Sequence, residues 1–315
     1  MRFKKIMKIF HFFIFIFVFK KSLIMSYMKN PKNTITRPII KSISGLSKSD
    51  YKIIDFINNY ELLTFDYTIE QFSEKLDIST SSISRFTKKY GFKNYSDFKV
   101  NLNLIIQKFN KNYEMNDDQI FTSIIASHRY VIDNLYNEAL MEKITTAANV
   151  ITKSNKILIQ GSGSSKRISE NLYSNLLKTG KVAISHMDFH VFFPVLANCN
   201  ANDVLILFSD NLKTPEQIFS LKKAHENNLK VIVITSNENN PHLENEFDVL
   251  IQYSKINPTY IDVPLSSKLS QLLITDLLFE AVLENDENLR VNLKKSKKMI
   301  DEWIERNSIF DKQHK

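Results

Sequence analysis

The sequence predicts an all-α helix-turn-helix domain followed by an α/β domain, in which a parallel five-stranded sheet carries helices on both faces. Three observations predict this. Between residues 45 and 111, apolar residues recur at helical spacing, broken by short polar turns and without strand-like alternation. From residue 153 to 285 the period changes, and short apolar runs at 156–160, 181–185, 204–208, 231–235 and 249–252 alternate with stretches long enough for helices. The length of 315 residues suits two domains, and 43% hydrophobic residues can build a core in each.

Residues 1–44 carry ten Lys and Arg and no acid, which leaves 32 basic against 34 acidic residues in the rest of the chain. The formal charge of +8 therefore sits in this extension, and only a local cluster can argue for nucleic acid. A basic start leads into a mostly apolar run of eleven residues, 9–19, well short of the roughly 20 needed to span a bilayer as a helix. Lys20 and Lys21 follow at once without a small-x-small cleavage site, and Met25 and Met28 lie just downstream. Residues 1–44 are thus expected to be disordered or to reflect an upstream start codon, with no membrane partner. A single cysteine, Cys199, rules out an intrachain disulfide or a multi-thiolate metal site and suits a reducing compartment, so a cytoplasmic protein is expected.

In the helical domain, Ser47-Lys-Ser-Asp50 signals a first helix with Tyr51, Ile53, Ile54 and Ile57 as its apolar positions. Thr68 and Gln71 form a capping box for a second helix, which places Ile69, Phe72 and Leu76 on one face. After the turn Asp77-Ile-Ser79, a third helix runs over 80–90, with Ser79 as cap and Gly91 as terminator. Two such helices across a short turn make a helix-turn-helix unit, whose second helix enters the major groove of double-stranded DNA. Ile83, Phe86 and Tyr90 should pack inward, leaving Thr80, Ser81, Ser82, Ser84, Arg85, Lys88 and Lys89 as the DNA-facing set. Small hydroxyls permit close approach to base edges, and Arg85 can grip a guanine or a phosphate. Over 85–111 there are seven basic residues against one acid, Asp97.

Residues 112–152 read as a polar linker and a helical connection, with Ile120, Ile124, Ile125, Val131, Ile132, Leu135, Leu140 and Ile144 as apolar positions. The first strand of the α/β domain then runs into Gly161-Ser-Gly-Ser-Ser165 ahead of an amphipathic helix, a setting in which backbone amides and a helix N-terminus bind an anion. A dinucleotide fingerprint is excluded, because its third glycine would fall on Lys166 and no acid ends the second strand. Ser162, Ser164 and Ser165 supply hydroxyls suited to a phosphate monoester. The third strand ends in Ser209-Asp-Asn-Leu-Lys-Thr214, where Ser209, Asn211 and Thr214 can form a second donor set beside the first loop. Apolar helices follow over 265–283 and 289–305, the latter within a C-terminal helical segment, 286–315.

These residues resemble the RpiR-type bacterial transcriptional regulators, which join an N-terminal helix-turn-helix to a C-terminal sugar isomerase (SIS) domain. The resemblance covers roughly 46–102, most specifically Ile78-Ser-Thr-Ser-Ser-Ile-Ser-Arg-Phe-Thr-Lys-Lys-Tyr-Gly-Phe-Lys-Asn-Tyr-Ser-Asp-Phe-Lys99, and then 150–283. The family's Gly-x-Gly-x-Ser loop stands here as Gly161, Gly163 and Ser165. The resemblance implies a SIS domain that senses a phosphorylated sugar and dimerises. Its second loop, Ser-x-Ser-Gly-x-Thr, is kept at Ser209 and Thr214, but Asn211 replaces serine and Leu212 replaces glycine. A side chain at Leu212 is expected to obstruct a backbone meant to approach phosphate or to take a positive φ. Asp210 is expected to oppose phosphate unless it points away.

The expected function is a homodimeric or larger DNA-binding regulator of sugar-metabolism genes, controlled by a sugar phosphate and bound to an inverted repeat. Two alternatives stand beside it: a regulator whose degenerate SIS domain only dimerises, and a sugar-phosphate isomerase. The family's enzymes need a positioned base. His186, His190, Glu238 and Glu244 are candidates, but no pair has a spacing that singles it out, so no catalytic residue, cofactor or metal is assigned.

Overall fold

The computed structural model describes residues 39–40, 45–60, 62–113, 120–236, 247–256 and 265–313. The expected N-terminal extension, apart from Ile39 and Ile40, lies outside them. The chain divides into two compact units, one ending at Asn110 and the other beginning at Lys111.

The first unit contains α1 (Lys48–Asn58), α2 (Ile69–Leu76), α3 (Thr80–Lys89) and most of α4 (Tyr95–Asn112). Each boundary has a local cause. Ser47 and Asp50 make a reciprocal capping box at α1, and Thr68 and Gln71 make another at α2. Ser79 Oγ accepts from the Ser82 amide at the start of α3. The turn between α2 and α3 passes through Asp77 at φ 50°, and Gly91, at φ 82°, ends the helix-turn-helix pair as expected. Ile53, Ile57, Phe65, Phe72, Ile83, Phe86 and Phe98 are fully buried. Phe65 meets Phe72 edge to face at 5.0 Å, so ring packing fixes how the short helices meet.

The second unit begins with α5 (Ile120–Leu135) and α6 (Glu138–Lys153), then builds β1 (Lys156–Gly161), α7 (Gly163–Lys178), β2 (Val182–Ile184), α8 (Phe189–Ala197), β3 (Val204–Phe208), α9 (Pro215–Glu226), β4 (Lys230–Thr235) and β5 (Val249–Gln252). Two helices close it, α10 (Leu265–Asn285) and α11 (Glu287–Gln313). The five strands are all parallel, in the order β2-β1-β3-β4-β5. Each central strand is apolar on both sides, as a doubly covered sheet requires. Ile157, Ile159, Ile206, Phe208, Ile232 and Ile234 pack with α6, α7 and α10. Leu158, Leu205, Leu207, Val231 and Val233 pack with α8 and α9 on the other face.

Chain order reverses between β1 and β3, since β1 leads outward to β2 on one side while β3, β4 and β5 follow on the other. In open parallel sheets, ligands bind in the crevice outside the strands' C-terminal ends at such a switch point. Gly161 and Phe208 are register partners there, so the loops leaving β1 and β3 start side by side.

In α5 the burial differs from the expectation. Ser123, Ala126, Ser127, Tyr130, Val131 and Leu135 form the buried face, while Ile120, Phe121, Ile125 and Ile132 are exposed, as is Tyr136 just past the helix. The small side chains let α5 lie close against α10, and the large apolar ones are left on the outer side.

Candidate DNA face and anion cradle

On α3, Thr80, Ser81, Arg85, Lys88 and Lys89 are exposed, Ser82 and Ser84 are half-buried, and Ile83 and Phe86 are fully buried. Tyr90 is half-buried, its ring 4.5 Å from that of Phe86. Ser79 Oγ lies 2.8 Å from Ser81 Oγ and 2.9 Å from Ser82 Oγ, and Arg85 reaches toward this hydroxyl cluster at 3.4 Å from Ser82 Oγ. The outer face of α3 therefore offers hydroxyls at its N-terminus and cations one to two turns on.

Lys89 has a second place in the structure. Its ammonium donates to Asp50 Oδ2 at 2.8 Å and to the Gly45 carbonyl at 2.6 Å. Burial acts to raise the Asp50 pKa, but Lys89 and the Ser47 donors outweigh it and hold the carboxyl below its ordinary 3.8. Lys89 thus ties α3 to the start of α1, whereas the Lys88 ammonium is on the open side.

The expected ligand residues lie on the two loops at the switch point. Gly163 takes φ 55°, and a Cβ on Gly161 would lie 2.8 Å from the Lys166 amide nitrogen, so glycine is required where the strand meets the first turn of α7. Ser162 is the N-cap of α7 and Thr214 the N-cap of α9, yet neither side chain makes a capping bond. At Ser47, Thr68, Ser79, Asn137 and Asp188 the N-cap side chains do cap. Intrahelical bonding in α7 starts at the Ser165 amide, so those of Gly163 and Ser164 remain available to an anion.

Ser165 Oγ accepts from Gln271 Nε2 at 3.0 Å, and Ser209 Oγ accepts from the Leu212 amide at 3.0 Å. Each hydroxyl oxygen is fixed as an acceptor, which leaves its proton to be donated. Ser164 and Thr214 are half-buried and Asn211 is exposed.

Leu212 does not obstruct the loop. Its backbone adopts φ 47°, the left-handed conformation a glycine would take, and its side chain is fully buried on the α8 and α9 side of the sheet. Asp210 is drawn toward the strand ends by an internal network. Its Oδ1 accepts from Ser236 Oγ at 2.9 Å and Tyr253 OH at 3.0 Å, and its Oδ2 accepts from Lys255 Nζ at 2.6 Å. Burial alone would raise its pKa; Lys255, Ser236 and Tyr253 outweigh that and hold it below 3.8. Burial and the neighbouring Asp210 push the Tyr253 phenol well above its ordinary range.

Gln271 completes the network by donating to Tyr253 OH at 2.7 Å as well as to Ser165. The two loops, the end of β5 and α10 are thereby joined through Ser165, Gln271, Tyr253 and Asp210. Sequence reading missed Gln271, Tyr253, Lys255 and Ser236. The one local signal is Gln271 itself, a long amide that is buried in α10 beside Ser267, Ser270 and Thr275.

His186 and His190 are both exposed, and the His186 ring accepts from the Asp188 amide. Neither enters the network described above. Glu238 and Glu244 lie outside the described residues. The ammonium of Lys166, beside Ser165 in the chain, is committed to Glu170 and the Ser185 hydroxyl.

Comparison with known proteins agrees with this two-part organisation. The family described as "Helix-turn-helix domain, rpiR family" matches residues 33–109, and the SIS domain family matches residues 150–281. The transcriptional regulator HexR of Escherichia coli is 26% identical over 286 residues, covering 87% of this chain and 95% of that protein. An uncharacterized HTH-type transcriptional regulator of Clostridium perfringens is 24% identical over 270 residues, 83% of this chain and 92% of its own length. Among solved structures, the NanR protein of Vibrio vulnificus, complexed with ManNAc-6P, superposes with a TM-score of 0.51 at 19% identity, covering 82% of this chain and 95% of that one. An rpiR-family helix-turn-helix followed by a SIS domain is the composition of one family, and the chain belongs to the RpiR-type transcriptional regulators.

Proposed function

We propose that this regulator binds an inverted-repeat operator as a homodimer or larger homo-oligomer in the cytoplasm and that a phosphorylated sugar, bound between the β1 and β3 loops, controls its grip on genes of sugar metabolism. The observation that carries the reading is the convergence of donors at the switch point. Ser165 and Ser209 have protons to donate, the first-turn amides of α7 face the same crevice end, and two uncapped N-caps flank it. Such a set fits a phosphate monoester. NanR, bound to ManNAc-6P, shares the fold and supports that ligand class.

On DNA, Thr80, Ser81, Ser82, Ser84, Arg85 and Lys88 form the contact face, with Arg85 reading a base edge and Lys88 a phosphate. Lys89 shares its charge between Asp50 and the DNA backbone. Two-fold protein symmetry is mirrored in the operator. The exposed apolar side chains of α5 supply a surface for self-association.

A non-enzymatic role is part of this proposal. Asp210 is charged and paired with Lys255, and His186 and His190 stand outside the network joining the loops, so among the described residues this network offers no unpaired base for a substrate proton. Calorimetry with a panel of hexose and amino-sugar 6-phosphates, each beside its unphosphorylated parent, tests the reading. Binding of a phosphorylated form alone, lost in Ser165→Ala, is expected. Equal binding of parent and phosphate, or none of either, would leave the SIS domain a dimerisation module only.

A further inference from the structure

Asp210 brings a carboxylate into a loop that otherwise attracts anions, and Lys255 answers it. The ammonium donates to Asp210 Oδ2 at 2.6 Å and to Asn211 Oδ1 at 3.3 Å, so it already reaches a side chain of the cradle. Lys255 stands on the segment after β5 with 28% of its side chain exposed, on a flexible four-carbon stem. The Asp210 carboxylate keeps Ser236 and Tyr253 as neutral donors on its other oxygen if the ammonium leaves. Gln271 ties Tyr253 to Ser165, which places this pair in the same bonded set as both loops. Lys166 is turned away from this pair, toward Glu170 and Ser185.

Resting on the reading of the crevice as a phosphate site, we propose that a bound phosphate dianion recruits Lys255 from Asp210, so that effector and carboxylate compete for one ammonium and Asp210 sets how tightly the effector is held. Competition differs from simple repulsion in its arithmetic. Neutralising Asp210 removes repulsion in any background, but it frees an ammonium only where Lys255 is present. The gain must therefore be larger with the lysine than without it.

The test is a double-mutant cycle on the full chain, with inorganic phosphate as the probe and calorimetry as the readout. Asp210→Asn is expected to tighten phosphate by at least about fivefold, and Lys255→Met to weaken it by about tenfold. In the Lys255→Met background, Asp210→Asn should gain no more than about twofold. Lys255→Arg should retain binding, and Asp210→Ser replaces the asparagine variant if that one does not fold. Equal gains in both backgrounds, or no gain from Asp210→Asn in the wild type, would overturn the competition. If the wild type binds phosphate through Ser165 while Asp210→Asn changes nothing, the competition alone fails. If neither protein binds phosphate at millimolar concentration, the phosphate reading of the crevice fails with it.

Discussion

At Leu212 a branched side chain sits at φ 47°, a conformation that costs an L-residue about 1–2 kcal/mol. It persists because the side chain is completely buried among Phe192, Leu207 and Leu221. Leu212→Ala keeps the strain and removes the packing, so a loss of about 2–5 kcal/mol in urea unfolding is expected. A loss under 1 kcal/mol would mean the burial does not hold the loop. The Lys89–Asp50 pair acts in the other domain. The folded-state pKa of Asp50 is lowered, so its stabilisation is complete above the ordinary 3.8 and is lost as pH falls below that toward the folded value. Lys89→Met should destabilise the first unit and remove that acid-limb dependence, as read by unfolding followed from pH 7 to pH 2. Arg85→Ala should cost about 1–3 kcal/mol of operator affinity and relax preference at one base pair, whereas Lys88→Ala should weaken all sequences alike and flatten the salt dependence. A gel shift across salt concentrations separates the two.

Elements explain why some of this was legible in the sequence and some was not. The capping boxes at α1 and α2, the Ser79 cap, the Gly91 stop and the five apolar runs are local patterns, and each falls where its residues predict it. The two loops at the switch point were legible for the same reason, since Ser162-Gly163-Ser164 and Ser209-Asp210-Asn211 directly follow β1 and β3. The Gln271 network was not, because Ser165 and Gln271 are 106 positions apart and only the fold brings α10 to the loop. Leu212 was read as an obstruction because glycine is the usual occupant of a positive φ; the missing fact was the apolar pocket beneath it. The outward apolar face of α5 was also hidden, because much of its inner face is Ser123, Ala126, Ser127 and Tyr130, beside Val131 and Leu135, and periodicity does not mark such residues as core. Gln271→Leu should leave Ser165 and Tyr253 with unmet acceptors, at about 1–3 kcal/mol of stability. It should also reduce the effect of the effector on DNA affinity, because α10 links the loops to α5 and α6. An unchanged effector response would place the coupling elsewhere.

For the whole molecule, the proposed function requires that effector and DNA affinities be linked, each shifting the other by the same factor. Symmetry sets the rest, since two recognition helices read an inverted repeat only when the chains associate. Ile125→Glu with Ile132→Glu should convert the oligomer to monomer in light scattering while leaving the fold intact, and an unchanged mass would remove α5 from the interface. The central measurement is selection of bound sequences from a random DNA pool, repeated with and without phosphorylated sugars. Recovery of one two-fold symmetric sequence, whose affinity changes about 5- to 150-fold with one sugar phosphate and not with its parent sugar, is the predicted result. An enriched sequence indifferent to every phosphorylated sugar, or no enriched sequence at all, would contradict it.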